Sequence, residues 1–256
     1  MTRIIAVISG KGGVGKTTSV SNIGAALTDF GRKVILVDGN ITTPNLNIHL
    51  GLPKTKYSLN DVLRGKISIK EALYTDESGI KVLPSGIGFS ELKKKFKKSL
   101  RDEIIDLVGE ADIILIDSPA GLDNNAESAI AAATEVLIVV NPNLPSVTDA
   151  LKASLLAKEY GVRVIGFIIT RYEGTEEELP IENIREFLGM ELIGIVPESR
   201  FVKKSLREHE PVVFKYPECE ASTQYKKIAA EIIGEKYERF KERKSIFKRI
   251  LDWFKS

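Results

Sequence analysis

Seven short apolar runs rich in β-branched residues punctuate the chain, each bounded by turn residues: Arg3 to Ser9, Lys33 to Val37, Ile80 to Leu83, Ile113 to Ile116, Val136 to Val140, Val164 to Ile169 and Leu192 to Val196. Between them lie longer stretches in which apolar residues return with a helical period: Lys16 to Phe30, Ser90 to Val108, Ala126 to Thr134, Ser146 to Tyr160, Pro180 to Leu188, Arg200 to Glu208 and Ser222 onward. The alternation predicts βαβ units. Most of the strand runs are continuously apolar, so both faces of the sheet need helical cover, which predicts an α/β fold with a doubly wound, mostly parallel sheet. No repeat, Pro-rich linker or low-complexity tract interrupts the pattern. The one break falls near Glu235 and divides a domain over residues 1–238 from a tail over 239–256.

Composition narrows the classes. At 256 residues and 43% hydrophobic content the chain can bury the core of a single α/β domain. The formal net charge is only +2, but it is unevenly placed. Residues 239–256 carry seven Lys or Arg against two Asp or Glu, a local +5, which leaves the preceding 238 residues at −3. A body of that charge gives no reason to expect nucleic acid as a partner. Cys219 is the only cysteine, so an intrachain disulfide and a Cys-x-x-Cys metal site are excluded, and a reducing cytoplasm fits. No apolar run approaches the ~20 residues needed to span a bilayer, and nothing suggests a secretory leader.

The segment Gly10-Lys11-Gly12-Gly13-Val14-Gly15-Lys16-Thr17 matches G-x-x-x-x-G-K-[ST] and lies between a buried strand and a helix start. The glycines let backbone N–H groups converge on phosphate oxygens, and the helix N-terminus adds the positive end of its dipole. Lys16 is expected to reach the β- and γ-phosphates and Thr17 to ligate Mg²⁺, with Thr18 beside them in the first turn. A P-loop NTPase fold is therefore expected. No Asn-Lys-x-Asp guanine motif occurs, which favours adenine and a cycle between ATP and ADP.

Lys11 adds a second cation to the loop. In this the run Lys-Gly-Gly-Val-Gly-Lys-Thr resembles the MinD/ParA family of deviant Walker A ATPases, and the resemblance covers nearly the whole chain. It implies that Lys11 acts in trans across a nucleotide-sandwiched homodimer, like an arginine finger. It also implies a Mg²⁺-coordinating role for Asp38, which ends an apolar strand, and for Asp117 in Asp117-Ser118-Pro119-Ala120-Gly121, a Walker B strand running into a switch loop. The family usually has a second Asp two residues after the first. Asn40 stands there instead. An amide can orient a water but cannot take its proton, so slow hydrolysis is expected. Arg171, in Thr170-Arg171-Tyr172, and Pro197-Glu198 resemble the family's adenine-contacting segments.

The tail places Ile246, Ile250, Trp253 and Phe254 at helical spacing with Lys248, Arg249 and Lys255 opposite or at the edges. This pattern predicts a C-terminal amphipathic helix over residues 245–256 that lies on an anionic membrane surface, similar to the family's membrane-targeting sequence. A docked C-terminal helix is the alternative. The expected function is an ATP-driven switch, cytoplasmic and peripheral on the inner face of the cell membrane, with a protein partner the sequence does not name. Two other readings stay open: a ParA-like partition ATPase for DNA or cargo, and a nucleotide-locked scaffold with little hydrolysis. The run Lys93 to Lys98 reads as a solvated helix face, and His49, His209 and Cys219 read as isolated residues without chemistry.

Overall fold

The computed structural model describes residues 1–86 and 96–238. Strand β1 (Arg3–Ile8) leads into α1 (Lys16–Asp29) and β2 (Val34–Asp38). Two short helices, α2 (Leu46–His49) and α3 (Leu59–Leu63), and a 3₁₀ turn at Lys70–Ala72 precede β3 (Tyr74–Thr75) and β4 (Lys81–Leu83). The chain continues through α4 (Leu100–Ile105), β5 (Ile113–Asp117), α5 (Asn124–Ala131), β6 (Glu135–Val140), α6 (Leu144–Glu159) and β7 (Arg163–Tyr172). It ends with α7 (Ile181–Leu188), β8 (Leu192–Pro197), α8 (Arg200–Arg207), α9 (Val212–Lys215) and α10 (Glu220–Ile232).

One eight-stranded sheet runs β3-β4-β2-β5-β1-β6-β7-β8, parallel throughout except for the β3–β4 pair. Helices cover both faces, as the continuous apolar runs require. In β1, Ile4, Ala6 and Ile8 face a core shared with Leu59, Ile104, Ile130 and Ala150, while Ile5 and Val7 face a second core with Ile23, Leu27, Tyr225 and Ile228. Each such Ile, Leu or Val side chain taken out of water contributes about 1.5–3 kcal/mol before the cost of ordering the chain is set against it. All parallel strands end on the same side, and the chain order of the sheet reverses at β1. Ligands of open α/β sheets sit at such a switch point, beyond the carboxyl ends of the strands.

The expected helix from Ser90 is corrected over the residues that are described. Residues 96–99 are not helical, and α4 begins only at Leu100. The cause is local. Ser99 caps the helix by accepting from the Asp102 N–H (3.2 Å), and the Lys97 and Lys98 N–H groups donate to the Leu63 carbonyl at 2.9 and 3.0 Å, which takes them out of a helical ladder. Lys97 and Lys98, the described end of the lysine run, are thus exposed loop residues, not a helix face. The amphipathic helix expected over 245–256 lies outside the described residues. Among the described residues no helix is long and apolar enough to cross a membrane.

Helix α1 approaches the sheet closely at Gly24, where an added Cβ would lie 2.7 and 3.0 Å from the two methyl carbons of Leu36. Gly24→Val is expected to lower the unfolding free energy by about 1–3 kcal/mol despite removing a helix-weakening glycine. In urea titrations, combination with Leu36→Ala should cost less than the sum of the single changes. A stabilised Gly24→Val chain would contradict this packing.

Candidate functional site

The turn after β1 is shaped by backbone that only glycine adopts freely. Gly15 has φ +94°, in the left-handed region, and it is the residue that caps α1. No side chain caps this helix, and its first turn carries no acidic residue. The leading N–H groups are therefore left without a side-chain partner, as an anion cradle requires. Neighbouring strand ends hold the loop in place. Thr170 Oγ1 donates to the Val14 carbonyl at 2.6 Å, and Asn141 Nδ2 donates to the Thr170 carbonyl at 3.0 Å and reaches Val14 O at 3.4 Å. The Ser9 hydroxyl donates to the Lys11 carbonyl at 2.8 Å. The two lysines differ sharply: Lys16 is only 7% exposed, whereas Lys11 is exposed and its ammonium makes no hydrogen bond or ion pair with a described residue.

Two acids meet at the centre. The β2–β5 register pairs Asp38 with Asp117, and both are fully buried. Thr17 Oγ1 donates to Asp117 Oδ2 at 2.6 Å, while Asp117 Oδ1 is buried without a hydrogen-bond partner. Asp38 accepts from the N–H groups of Asn40 (3.1 Å), Asn45 (3.2 Å) and Leu46 (3.1 Å). Burial, reinforced by the Asp117 charge, nevertheless pushes the Asp38 carboxyl up to about 8, the three N–H bonds offsetting only part of the shift. Burial also raises Asp117, to about 6, against the pull of Lys16 and the Thr17 bond. Asp38 is the more strongly raised of the two because Lys16 and the Thr17 hydroxyl face Asp117. Lys16 is shifted down by burial, partly restored by Asp117.

A hard divalent cation fits this donor set. Thr17 supplies a hydroxyl, Asp117 an orphaned carboxylate oxygen and Asp38 a carboxyl that gives up its proton in return for a positive neighbour. Among the described residues no cluster of three or more His, Cys, Asp or Glu could hold a metal. Mg²⁺ keeps several waters and takes few protein ligands, so the hydroxyl and two carboxyl groups suffice as a donor set.

Beyond α1 lies a small cleft. Gly15, Thr18, Arg171, Pro197 and Glu198 all line it, so the two segments expected at a base meet at the end of the phosphate loop. Arg171 holds φ +55°, an uncommon conformation for a residue with a side chain and a modest strain at the rim. The Glu198 N–H donates to the Tyr172 carbonyl at 2.9 Å, and its carboxylate pairs with Lys203 at 2.7 Å. Tyr225 closes the floor, its hydroxyl pushed to about 12 by complete burial.

Asn141 and Tyr225 belong to this site although their sequence context gave no sign of it, and Thr170, expected only within a base-contacting segment, also braces the phosphate loop. Only the neighbouring strand ends reveal Asn141 and Thr170 as supports of the loop. His49 and His209 are not isolated. Nδ1 of His209 lies 2.9 Å from the Ile48 carbonyl, and burial together with the nearby His209 lowers His49 to about 4. Cys219 caps α10, accepting from the Ser222 N–H at 3.4 Å.

Residues 2–153 match the family described as an AAA domain. The chain is 37% identical to an uncharacterized ATP-binding protein of Methanocaldococcus jannaschii over 96% of its own length and 94% of that protein's. Among solved structures it is similar to the septum site-determining protein MinD of Pyrococcus horikoshii complexed with Mg-ADP, with a TM-score of 0.88, 36% identity and 91% and 96% of the two chains covered. It is also similar to the MinC:MinD cell division protein complex of Aquifex aeolicus, with a TM-score of 0.79, 34% identity and 91% and 96% covered.

The carboxyl pair makes stability depend on pH with a definite sign. The Asp38 pKa is raised from 3.8 to about 8 in the folded chain, so the folded state holds the extra proton and loses this contribution as pH rises through that window. Without nucleotide, the stability of the wild type should fall relative to Asp38→Asn as pH rises from about 4 to about 8. Denaturant midpoints of the two proteins across the window measure this, and parallel curves would contradict it.

Proposed function

The chain belongs to the MinD/ParA family of P-loop ATPases, and from that premise we propose that it is an ATP-binding and ATP-hydrolysing switch that dimerises around nucleotide and gathers at a membrane surface in its ATP state. The observation that carries the reading is the meeting of Lys16, Thr17, Asp38 and Asp117 at adjacent strand ends beside an uncapped helix N-terminus. The α1 N–H groups and Lys16 bind and orient the phosphates, while the cleft at Arg171, Pro197 and Glu198 receives the base. Thr17, Asp117 and Asp38 hold Mg²⁺, which when bound neutralises charge on the β- and γ-phosphates.

Lys11 is the one phosphate-loop cation left in solvent, and it is free to serve the partner's nucleotide in a homodimer. Asn40 lies two residues beyond Asp38, and its amide would orient the attacking water once released from Thr43. The basic, apolar segment 245–256 supplies the membrane contact, and placing two copies on one dimer raises avidity by roughly 10² to 10⁴. The role that fits is spatial positioning, of the division site or of a polar structure, with a further protein partner. The body's charge of −3 speaks against a DNA-partition role. A nucleotide-locked scaffold has one observation in its favour, the engagement of the Asn40 amide by Thr43, and single-turnover assays separate it from a cycling enzyme.

Lys16→Ala should abolish nucleotide binding, whereas Lys11→Ala should bind ATP and lose both ATP-dependent dimerisation and turnover. Equilibrium binding combined with light scattering reads both, and a Lys11→Ala chain that dimerises normally would remove the trans role. Sedimentation with anionic liposomes should show capture with ATP and little with ADP, and capture should be lost after truncation at Lys244 or in Trp253→Glu. Equal capture of the truncated chain would refute the membrane contact.

A further inference from the structure

The Asn40 side chain, two residues beyond Asp38, is fully engaged by one neighbour. Its Nδ2 donates to the Thr43 carbonyl at 2.8 Å and to Thr43 Oγ1 at 3.0 Å. Its Oδ1 accepts from the Thr43 N–H at 3.0 Å and from the Thr43 hydroxyl at 3.3 Å. An asparagine amide has two donor hydrogens and one oxygen with two lone pairs, so Thr43 uses all of it. The orientation is unambiguous, because a backbone N–H can only donate and a carbonyl can only accept. Below this clamp, the Asp38 carboxylate holds the N–H groups of Asn40, Asn45 and Leu46, and the Gly39 N–H donates to the Asp117 carbonyl at 2.9 Å. Segment 39–46 is thus tied at its base to the two buried acids. Its exposed part is tied chiefly by the Asn40 amide, with the Asn45 amide adding one bond to the Thr43 carbonyl at 3.1 Å.

We propose that the Asn40–Thr43 clamp is a latch on hydrolysis: while it is closed the amide has no capacity left to orient a water, and segment 40–43 must open before the site turns over. The inference rests on the reading of the site as an ATP-hydrolysing switch. It assigns a role to Thr43, whose hydrogen bonds run to the Asn40 and Asn45 amides. It also explains why the residue at position 40 has to be an amide. A carboxylate there accepts the Thr43 N–H but sets its second oxygen against the Thr43 carbonyl, two acceptors facing each other with no hydrogen between them. The exchange of aspartate for asparagine therefore does more than remove a base. It supplies the donor that closes the resting segment and makes slow basal turnover a consequence of gating.

Hydrogen exchange of the Thr43 amide in the full chain tests this. Without nucleotide, Asn40→Ala and Asn40→Asp should both speed exchange by about fivefold or more, the loss of one or two hydrogen bonds, although aspartate keeps the acceptor. With a slowly hydrolysed ATP analogue and Mg²⁺ the wild type should show the same loss of protection, and with ADP it should not. Thr43→Ala, which removes the two hydroxyl contacts and leaves the backbone partners, should raise the single-turnover rate several-fold at unchanged nucleotide affinity. Wild-type protection in Asn40→Asp would overturn the need for an amide. Equal Thr43 exchange with the ATP analogue and ADP, or an unchanged rate in Thr43→Ala, would overturn the gate. Failure of the ATPase reading itself would appear as absent nucleotide binding, and the nucleotide-free comparison reads the clamp independently of it.

Discussion

Two carboxyl groups face each other across β2 and β5 in a place from which water is excluded, and the surrounding structure is arranged to make that tolerable. Adjacent strands lie ~4.8 Å apart, and at that spacing two unit charges in an effective dielectric of ~20 repel by about 3–4 kcal/mol. Desolvation adds to the cost. The chain meets it unevenly: Lys16 and the Thr17 hydroxyl support Asp117 as an anion, while at Asp38 three backbone N–H groups offset only part of the upward push from burial and from Asp117. The resting site is therefore held short of a positive charge. A divalent cation held by the pair would relieve the repulsion and satisfy the orphaned Asp117 oxygen, the arrangement that the proposed Mg²⁺–nucleotide site rests on.

The same pair links chemistry to motion. Asp38 holds the turn after β2 through Asn40, Asn45 and Leu46, and the Asp117 carbonyl receives the Gly39 N–H, so a change in charge at the acids acts directly on segment 39–46. On the other flank, Thr170 and Asn141 brace the phosphate loop from the ends of β7 and β6, leaving little freedom there. One side of the site is rigid and binds; the other is held by a few hydrogen bonds of about 1 kcal/mol each and can respond. That asymmetry is what a nucleotide-dependent switch needs, and it is the physical basis of the proposed cycle between monomer and membrane-bound dimer.

Much of this was legible in the sequence. Continuous apolar runs such as Ile113 to Ile116 specify strands covered on both faces, and the glycine motif beside Lys16 and Thr17 specifies its chemistry wherever it falls between strand and helix. The resemblance placed Asp38 and Asp117 by their positions after such runs, and the sheet register then sets them side by side. The parts that were not legible depend on contacts distant in sequence. Asn141 and Thr170 are ordinary polar residues until β6 and β7 bring them under Val14. The helix expected from Ser90 is absent over residues 96–99 and α4 starts at Leu100, because the Leu63 carbonyl captures Lys97 and Lys98 while Ser99 offers a cap. Short elements such as α2 and β3 are too brief for any period to show. The Asn40 amide looked like a weakened catalytic position, and its actual partner, Thr43, emerges only from the closed geometry of the turn.

The central claim is that nucleotide binding is driven by a cation discharging the Asp38–Asp117 pair. Calorimetric titration of the wild type with ATP near pH 7, with and without Mg²⁺ and in two buffers of different ionisation enthalpy, tests it most directly. The account predicts binding that depends strongly on Mg²⁺ and releases about one proton per site, a release that disappears in Asp38→Asn. Equal affinity without Mg²⁺, or binding with no proton release from the wild-type pair, would contradict it.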